Sequence, residues 1–296
     1  MRHLENAFKF TFKNFLLTLP FLISVAIPAI ITGVGSLGLV ANSTVFLNDF
    51  QRLMEDFTYG SRNFDYSRLF ETLNLGPFIA SLAISGLISL VLTIIIKSAT
   101  YGLINLHYET GNAKLSDISG CMSKYIGRFI LYGLLYAAIN IGLVIVFFIL
   151  MFIAGIVSAA STALGVILII IFVLGFIVGL IALTIYMKLW FPAVCVEDSD
   201  IVQGLKNSFR TVKGSFWPIL GITILVTLCG SIASAIIGGI LSWVPILGNM
   251  VGPVIVGLAD FILIVYYFDI YREKTGRFNF SEPPQQFNGF QDGSVQ

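Results

Sequence analysis

Charge is what this chain has least of. Asp, Glu, Lys and Arg make up 11% of its 296 residues, against roughly 25% in a typical soluble domain. With 57% hydrophobic residues there is too little polar surface to coat a water-soluble fold, so an integral membrane protein is expected. Histidine is rarer still: His3 and His107 are the only two, and the three cysteines, Cys121, Cys195 and Cys229, show no metal-ligand spacing. That pattern predicts no metal centre and, for the thiols, no disulfide. HExxH, a phosphate-binding loop and a nucleophile elbow are all missing. A non-enzymatic chain without cofactor or metal is therefore expected. The formal charge is only +1, and the 17 basic residues are spread along the chain instead of forming one patch, which argues against a nucleic-acid partner.

What the sequence does hold is long apolar runs. Phe15 to Ala41 is about twice the length of a signal-peptide core and has no clear small-x-small cleavage site, so it reads as a spanning helix with kinks at Pro20 and Pro28. A polar, net-acidic outer loop is expected over 42–77, with a surface helix from Thr44 to Thr58 and a turn-rich TYGSRNFDYS after it. The second span is expected at 78–98, with the Lys97 head extending toward the interface, and a loop over 99–128. Between Phe129 and Met187 lie 59 residues without a charge. At about 1.5 Å per residue, one helix of that length would far exceed a hydrocarbon core of roughly 30 Å. The run must fold back, and SAAST at 157–161 is the turning point, giving spans 129–156 and 163–189. Gly214 to Ala259 is treated alike, with WVPILGNM at 243–250 as the reversal and spans at 216–241 and 251–271. An all-α polytopic bundle is thus expected over 1–271, followed by a disordered cytoplasmic tail at 272–296.

Six spans place both termini on one side, and the cations choose which. With the termini inside, fourteen of the 17 Lys and Arg face the cytoplasm and three lie in the outer loop, as the positive-inside rule requires. A prokaryotic cytoplasmic membrane, multi-pass, with N- and C-termini cytoplasmic, is the expected setting. Each outward span is then preceded by a basic, aromatic segment, at 6–14, 116–128 and 200–213. NAFKFTFKNFL aligns with NSFRTVKGSFW, and LHYETG at 106–111 resembles YREKTG at 271–276. Three repeated hairpins with cytoplasmic interfacial helices are predicted.

The chain is organised around Lys188 to Leu220. As a helix, 201–213 places Ile201, Leu205, Phe209 and Val212 on one stripe and Lys206, Arg210 and Lys213 beside it. Asp200 or Ser199 is the expected N-cap, with Glu197, Asp198 and Asp200 at the positive end of the helix dipole, and Gly214 ends it. That is the pattern of a helix lying in the headgroup layer of an anionic membrane. Lys9, Lys13, Lys124 and Arg128 are expected to bind inner-leaflet lipid with it.

The passage LWFPAVCVEDSDIVQGLKNSFRTVKGSFWPILGITIL closely resembles the membrane domain attached to some glycerophosphoryl diester phosphodiesterases, which also stands alone in prokaryotes. The shared features are Phe191 and Pro192, the acidic pair Glu197 and Asp198, the helix residues Gly204, Leu205, Lys206 and Ser208, and the Lys213, Gly214, Phe216 and Trp217 segment. Gly204 stands where that family usually has alanine, and the acidic first loop is longer. The phosphodiesterase barrel is absent, so the resemblance implies a polytopic membrane module and no hydrolase.

Near mid-bilayer, Asp260 is a costly carboxylate that must be protonated, paired or facing water. Asn140, Ser85, Ser89, Thr227 and Ser231 lie near the same depth, with Cys229. Together they point either to a mid-membrane polar layer serving as a proton-linked or headgroup-binding site, or to interhelical hydrogen bonds that fix packing. Gly175 and Gly179, and Gly230, Ser234 and Gly238, are expected as packing seams. Two functions follow. One is a membrane-organising or accessory module that binds anionic lipid and other membrane proteins on the inner leaflet. The other is a transporter or export factor for a lipid, peptide or other amphiphile, working through Asp260.

Overall fold

The computed structural model describes residues 2–41, 43–58, 75–241 and 243–277. The turn-rich piece after Thr58 and the tail from residue 278 onward lie outside them. Among the described residues there is no strand. The helices are α1 (Arg2–Lys13), α2 (Phe15–Ala41), α3 (Ser43–Thr58), α4 (Leu75–Leu92), α5 (Ser98–Thr110), α6 (Ile118–Ala160), α7 (Thr162–Lys188), α8 (Trp190–Glu197), α9 (Ile201–Lys213), α10 (Phe216–Leu241) and α11 (Pro245–Lys274). Six helical stretches are long and apolar enough to cross a membrane. Helices are the form these runs must take, because hydrocarbon offers no partner for a free peptide group. The chain is a multi-pass membrane protein built as an all-helical bundle.

The spans pair in chain order as α2 with α4, α6 with α7, and α10 with α11; α11 also packs along α2. The pairing rests on small residues. A Cβ on Gly35 would overlap Ser81 of α4, one on Gly230 would come within 2.7 Å of Ala259 Cβ, and one on Gly252 within 2.9 Å of Ser234 Oγ. The Gly230, Ser234 and Gly238 stripe is therefore the α10–α11 seam. Gly175 and Gly179 are different: nothing stands within 4 Å of a Cβ at either, so that pair is no packing seam within this chain.

The second loop expected over 99–128 is mostly helix. A five-residue π turn, Thr93–Lys97, joins α4 to α5 without a break, and the chain leaves helix only at Gly111 (φ 72°). No proline or glycine interrupts Thr93 to Leu106 except Gly102, and Gly102 sits close under Cys121 and Tyr125 of α6. The α6 helix starts at Ile118, so the basic segment expected as a separate interfacial helix at 116–128 is its first turns. Reversals fall at Ser161 and just before Pro245. Gly248 and Asn249, expected in the second reversal, lie inside α11. Pro245 takes the first-turn position where its missing N–H costs nothing, and α11 continues through residues 272–274, expected in the tail.

The core lies at the end where α1, α5, α8, α9 and the end of α11 meet, hereafter the basic end. Every residue of α11 from Phe261 to Tyr271 is buried. Trp190 has no exposed surface, and its indole N–H donates to the Ile201 carbonyl at 2.7 Å. Phe191 meets Tyr101 and Phe129 edge-on, each at 4.9 Å between ring centres. Away from this end, α6 and α7 rest chiefly on each other, with Phe148, Phe152, Leu174 and Val178 facing outward.

Candidate functional site: a cavity with two lysines

Residues of α2, α4, α5, α6, α7 and α11 enclose a cavity of about 780 Å³, within the size range of small-molecule sites. The π turn supplies Thr93, Ile94 and Lys97 of its lining. Thr93, Ile94, Ile95 and Ile96 form an unbroken β-branched run, which crowds an α-helical backbone. The widened turn leaves carbonyls for other donors: Ser98 Oγ donates to Ile95 O at 2.9 Å and Thr100 Oγ1 to Ile96 O at 2.7 Å. π turns in long helices recur at functional sites, and this one carries Lys97 onto the cavity wall.

Lys97 Nζ lies 5.8 Å from the ring centre of Phe21. Lys188, at the end of α7, and Asp260, on α11, line the same cavity. Among the described residues neither ammonium group stands within ion-pairing distance of the Asp260 carboxylate. Tyr101, Tyr132, Tyr136 and Tyr267 add an aromatic and hydroxyl-bearing lining. Tyr267 is anchored through a 2.9 Å hydrogen bond between its hydroxyl and Thr223 Oγ1, and Tyr132 by edge contact with Trp190 at 4.9 Å. Leu90 of α4 and Leu134 of α6 also line the cavity and are 59% and 65% exposed. The cavity thus combines two lysines with an apolar, exposed part of its lining.

Of the residues expected at mid-membrane depth, Asp260 and Ser89 share this cavity. The others stand apart. Thr32 Oγ1 donates to Ser85 Oγ at 2.8 Å, joining α2 to α4. Asn140 Nδ2 donates to the Tyr136 carbonyl of its own helix at 2.7 Å. Thr227 and Ser231 face outward from α10, as does Cys229, while Cys121 and Cys195 are buried. Lys97 and Lys188 were read as span ends, and the tyrosines were not singled out. The one signal for Lys97 is its position fourteen residues before Gly111, the glycine at which the helix ends.

The basic amphipathic helix α9 forms where expected, but its apolar stripe faces protein. Ile201, Gly204, Ser208 and Val212 are buried, and Phe209 stacks on Tyr186 at 4.8 Å. Ser208 Oγ donates to the Tyr186 carbonyl at 2.5 Å. Asp200 occupies the N-cap position without a side-chain cap bond. Glu197 is committed elsewhere, accepting from Asn207 Nδ2 and from the Tyr271 hydroxyl. Lys206, Arg210 and Lys213 remain exposed. Lys124 and Arg128 instead bracket Asp198, the former at 3.5 Å, and the Arg128 hydrogen bond, with Lys124 adding to it, holds that carboxyl below its ordinary value. Lys9 pairs with Glu5 at 2.7 Å. His3 joins α1 to α11 through Asp269 at 2.7 Å and Glu273.

This arrangement defines a class: a multi-pass helical membrane protein with a charged cavity. The chain belongs to the family described as Domain of unknown function (DUF7847), whose model matches residues 66–265. The match takes in the cavity-lining residues except Phe21 of α2 and Tyr267 of α11. No curated protein and no solved structure matches the chain.

Proposed function

We propose that this protein is a non-enzymatic module of a prokaryotic cytoplasmic membrane that holds anionic lipid at the inner leaflet. One lipid sits in the cavity, its headgroup at Lys97 and Lys188 and its chains leaving past Leu90 and Leu134. Others gather under the exposed cations Lys206, Arg210 and Lys213, where other membrane proteins also dock. The observation that carries this reading is two lysines in a cavity with an apolar, exposed part of its lining. A cation within a membrane needs a counter-charge, and an anionic lipid brings that charge on an apolar body. The excess of Lys and Arg at the basic end supports a cytoplasmic placement of that end by the positive-inside rule. The resemblance to the phosphodiesterase-linked membrane domain fits an accessory role of this kind.

Quantifying lipid retained through purification tests the reading. Lys97→Gln with Lys188→Gln should remove most of the tightly held anionic lipid, about one molecule per chain by the single-cavity geometry. Lys206→Gln with Arg210→Gln and Lys213→Gln should lower only the loosely held fraction. Equal retention in all three proteins would reject the cavity assignment.

Asp260 favours a second reading, export of an amphiphile, because a carboxylate on the cavity wall can take up and release a proton as cargo moves. Lipid movement in proteoliposomes that survives Asp260→Asn at full rate would count against it.

A further inference from the structure

The charged groups lining the cavity are Lys97, Lys188 and Asp260, and this set is not the complement of a simple anion. Two ammonium groups suit an acidic headgroup, but a carboxylate on the same wall repels it. The three line one cavity and yet form no direct pair among the described residues. A lysine side chain is flexible enough to collapse onto a neighbouring carboxylate when nothing else competes for it. Here Lys97 lies along the Phe21 face instead, and space is left between the charges. What fills such a space best carries two negative groups and one positive group. The tyrosine rings agree with this, since Tyr132, Tyr136 and Tyr267 lie on the same lining as Asp260, and an ammonium is stabilised by a carboxylate and an aromatic face together.

We propose that the cavity selects an anionic aminophospholipid. The phosphate and carboxylate of a phosphoserine-type headgroup face Lys97 and Lys188, and its ammonium faces Asp260 and the tyrosines. This rests on the lipid-holding reading above and specifies the headgroup. Binding is noncovalent and needs no co-reactant.

The test compares headgroups of equal net charge. Full-length protein in detergent is titrated with dioleoyl phosphatidylserine and with dioleoyl phosphatidylglycerol, each carrying one net negative charge, and binding is read by native mass spectrometry and by thermal shift. Phosphatidylserine should bind about tenfold more tightly, the scale of one charge-assisted contact. In Asp260→Asn that preference should vanish while phosphatidylglycerol binding holds or improves. In Lys97→Gln both lipids should weaken. Should Asp260→Asn fail to fold, phosphatidylserine with its amine acetylated serves instead and should lose the advantage on the unaltered protein. Equal binding of the two lipids, or a preference untouched by Asp260→Asn, would overturn the selectivity and leave anionic-lipid binding standing. No binding of either would overturn both.

Discussion

At position 204 a single hydrogen atom sets how closely two helices meet. A Cβ there would lie 2.3 Å from Val194 Cγ2 and 3.4 Å from the Trp190 carbonyl. Alanine, usual at this point in the membrane domain that the sequence resembles, does not fit unless Val194 turns away. Gly204→Ala should cost about 1–3 kcal/mol by overpacking, read by thermal unfolding in detergent, and Val194→Ala in the same chain should restore part of it. An unchanged melting point would mean that α8 and α9 do not pack this way. Asp198 gives a pH prediction. Arg128 and Lys124 hold its carboxyl low, so the stability they confer is present above the ordinary carboxylate range and lost as pH falls through the depressed value. Asp198 is more than half exposed, so solvent screening keeps Arg128→Gln below about 1 kcal/mol. That loss should be visible at neutral pH and absent in strong acid. Neither contact was legible beforehand. Composition places Gly204 and Asp198 on a helix and at a turn, but which side chain comes to meet them is decided by tertiary packing.

Among the elements, the π turn at Thr93–Lys97 matters most to the cavity. Deleting Ile95 lets α4 run into α5 as regular α-helix, with the flanking turns keeping their register. The protein should still fold, and it should lose retained lipid as Lys97→Gln does. Retention unchanged by the deletion would show that the widened turn does not present Lys97. The hairpin of α6 and α7 depends on Gly165, where a Cβ would stand 2.5 Å from the Ser158 backbone. Gly165→Val should therefore splay this reversal and lower the melting point by several degrees, about 1–3 kcal/mol of strain. The spans themselves could be read from the sequence, because uninterrupted apolar runs leave the chain no other fold in lipid. The reversal at Ser161 could be read for the same reason. The π turn could not, since a β-branched run before a lysine occurs equally at ordinary span ends, and the loop expected at 99–128 follows from that. The stripe of α9 misled differently: an apolar face beside cations describes a helix on a bilayer and a helix on a protein equally well, and here Tyr186 and the residues of α8 cover it. One likeness between returning spans did carry through. LHYETG and YREKTG both end in a left-handed glycine, Gly111 at 72° and Gly276 at 70°. Each is preceded by a threonine whose hydroxyl donates to the carbonyl four residues back at 2.8 Å.

For the molecule as a whole, the largest buried core is at the basic end, the first and third hairpins also pack together through α2 and α11, and the cavity is lined by residues of α2, α4, α5, α6, α7 and α11. Of the polar residues expected at mid-membrane depth, Asp260 and Ser89 line the cavity, together with Thr93 and Thr184. Whole-molecule orientation is tested by cysteine labelling at position 206, which should react with an impermeant reagent in inside-out vesicles and stay protected in intact cells. The most direct test of the central claim is a cryo-EM structure of the full chain in nanodiscs containing anionic lipid. The account predicts headgroup density within contact of both Lys97 and Lys188, with chain density running out between Leu90 and Leu134. An empty cavity, or one closed by direct pairing of Asp260 with the lysines, would contradict it.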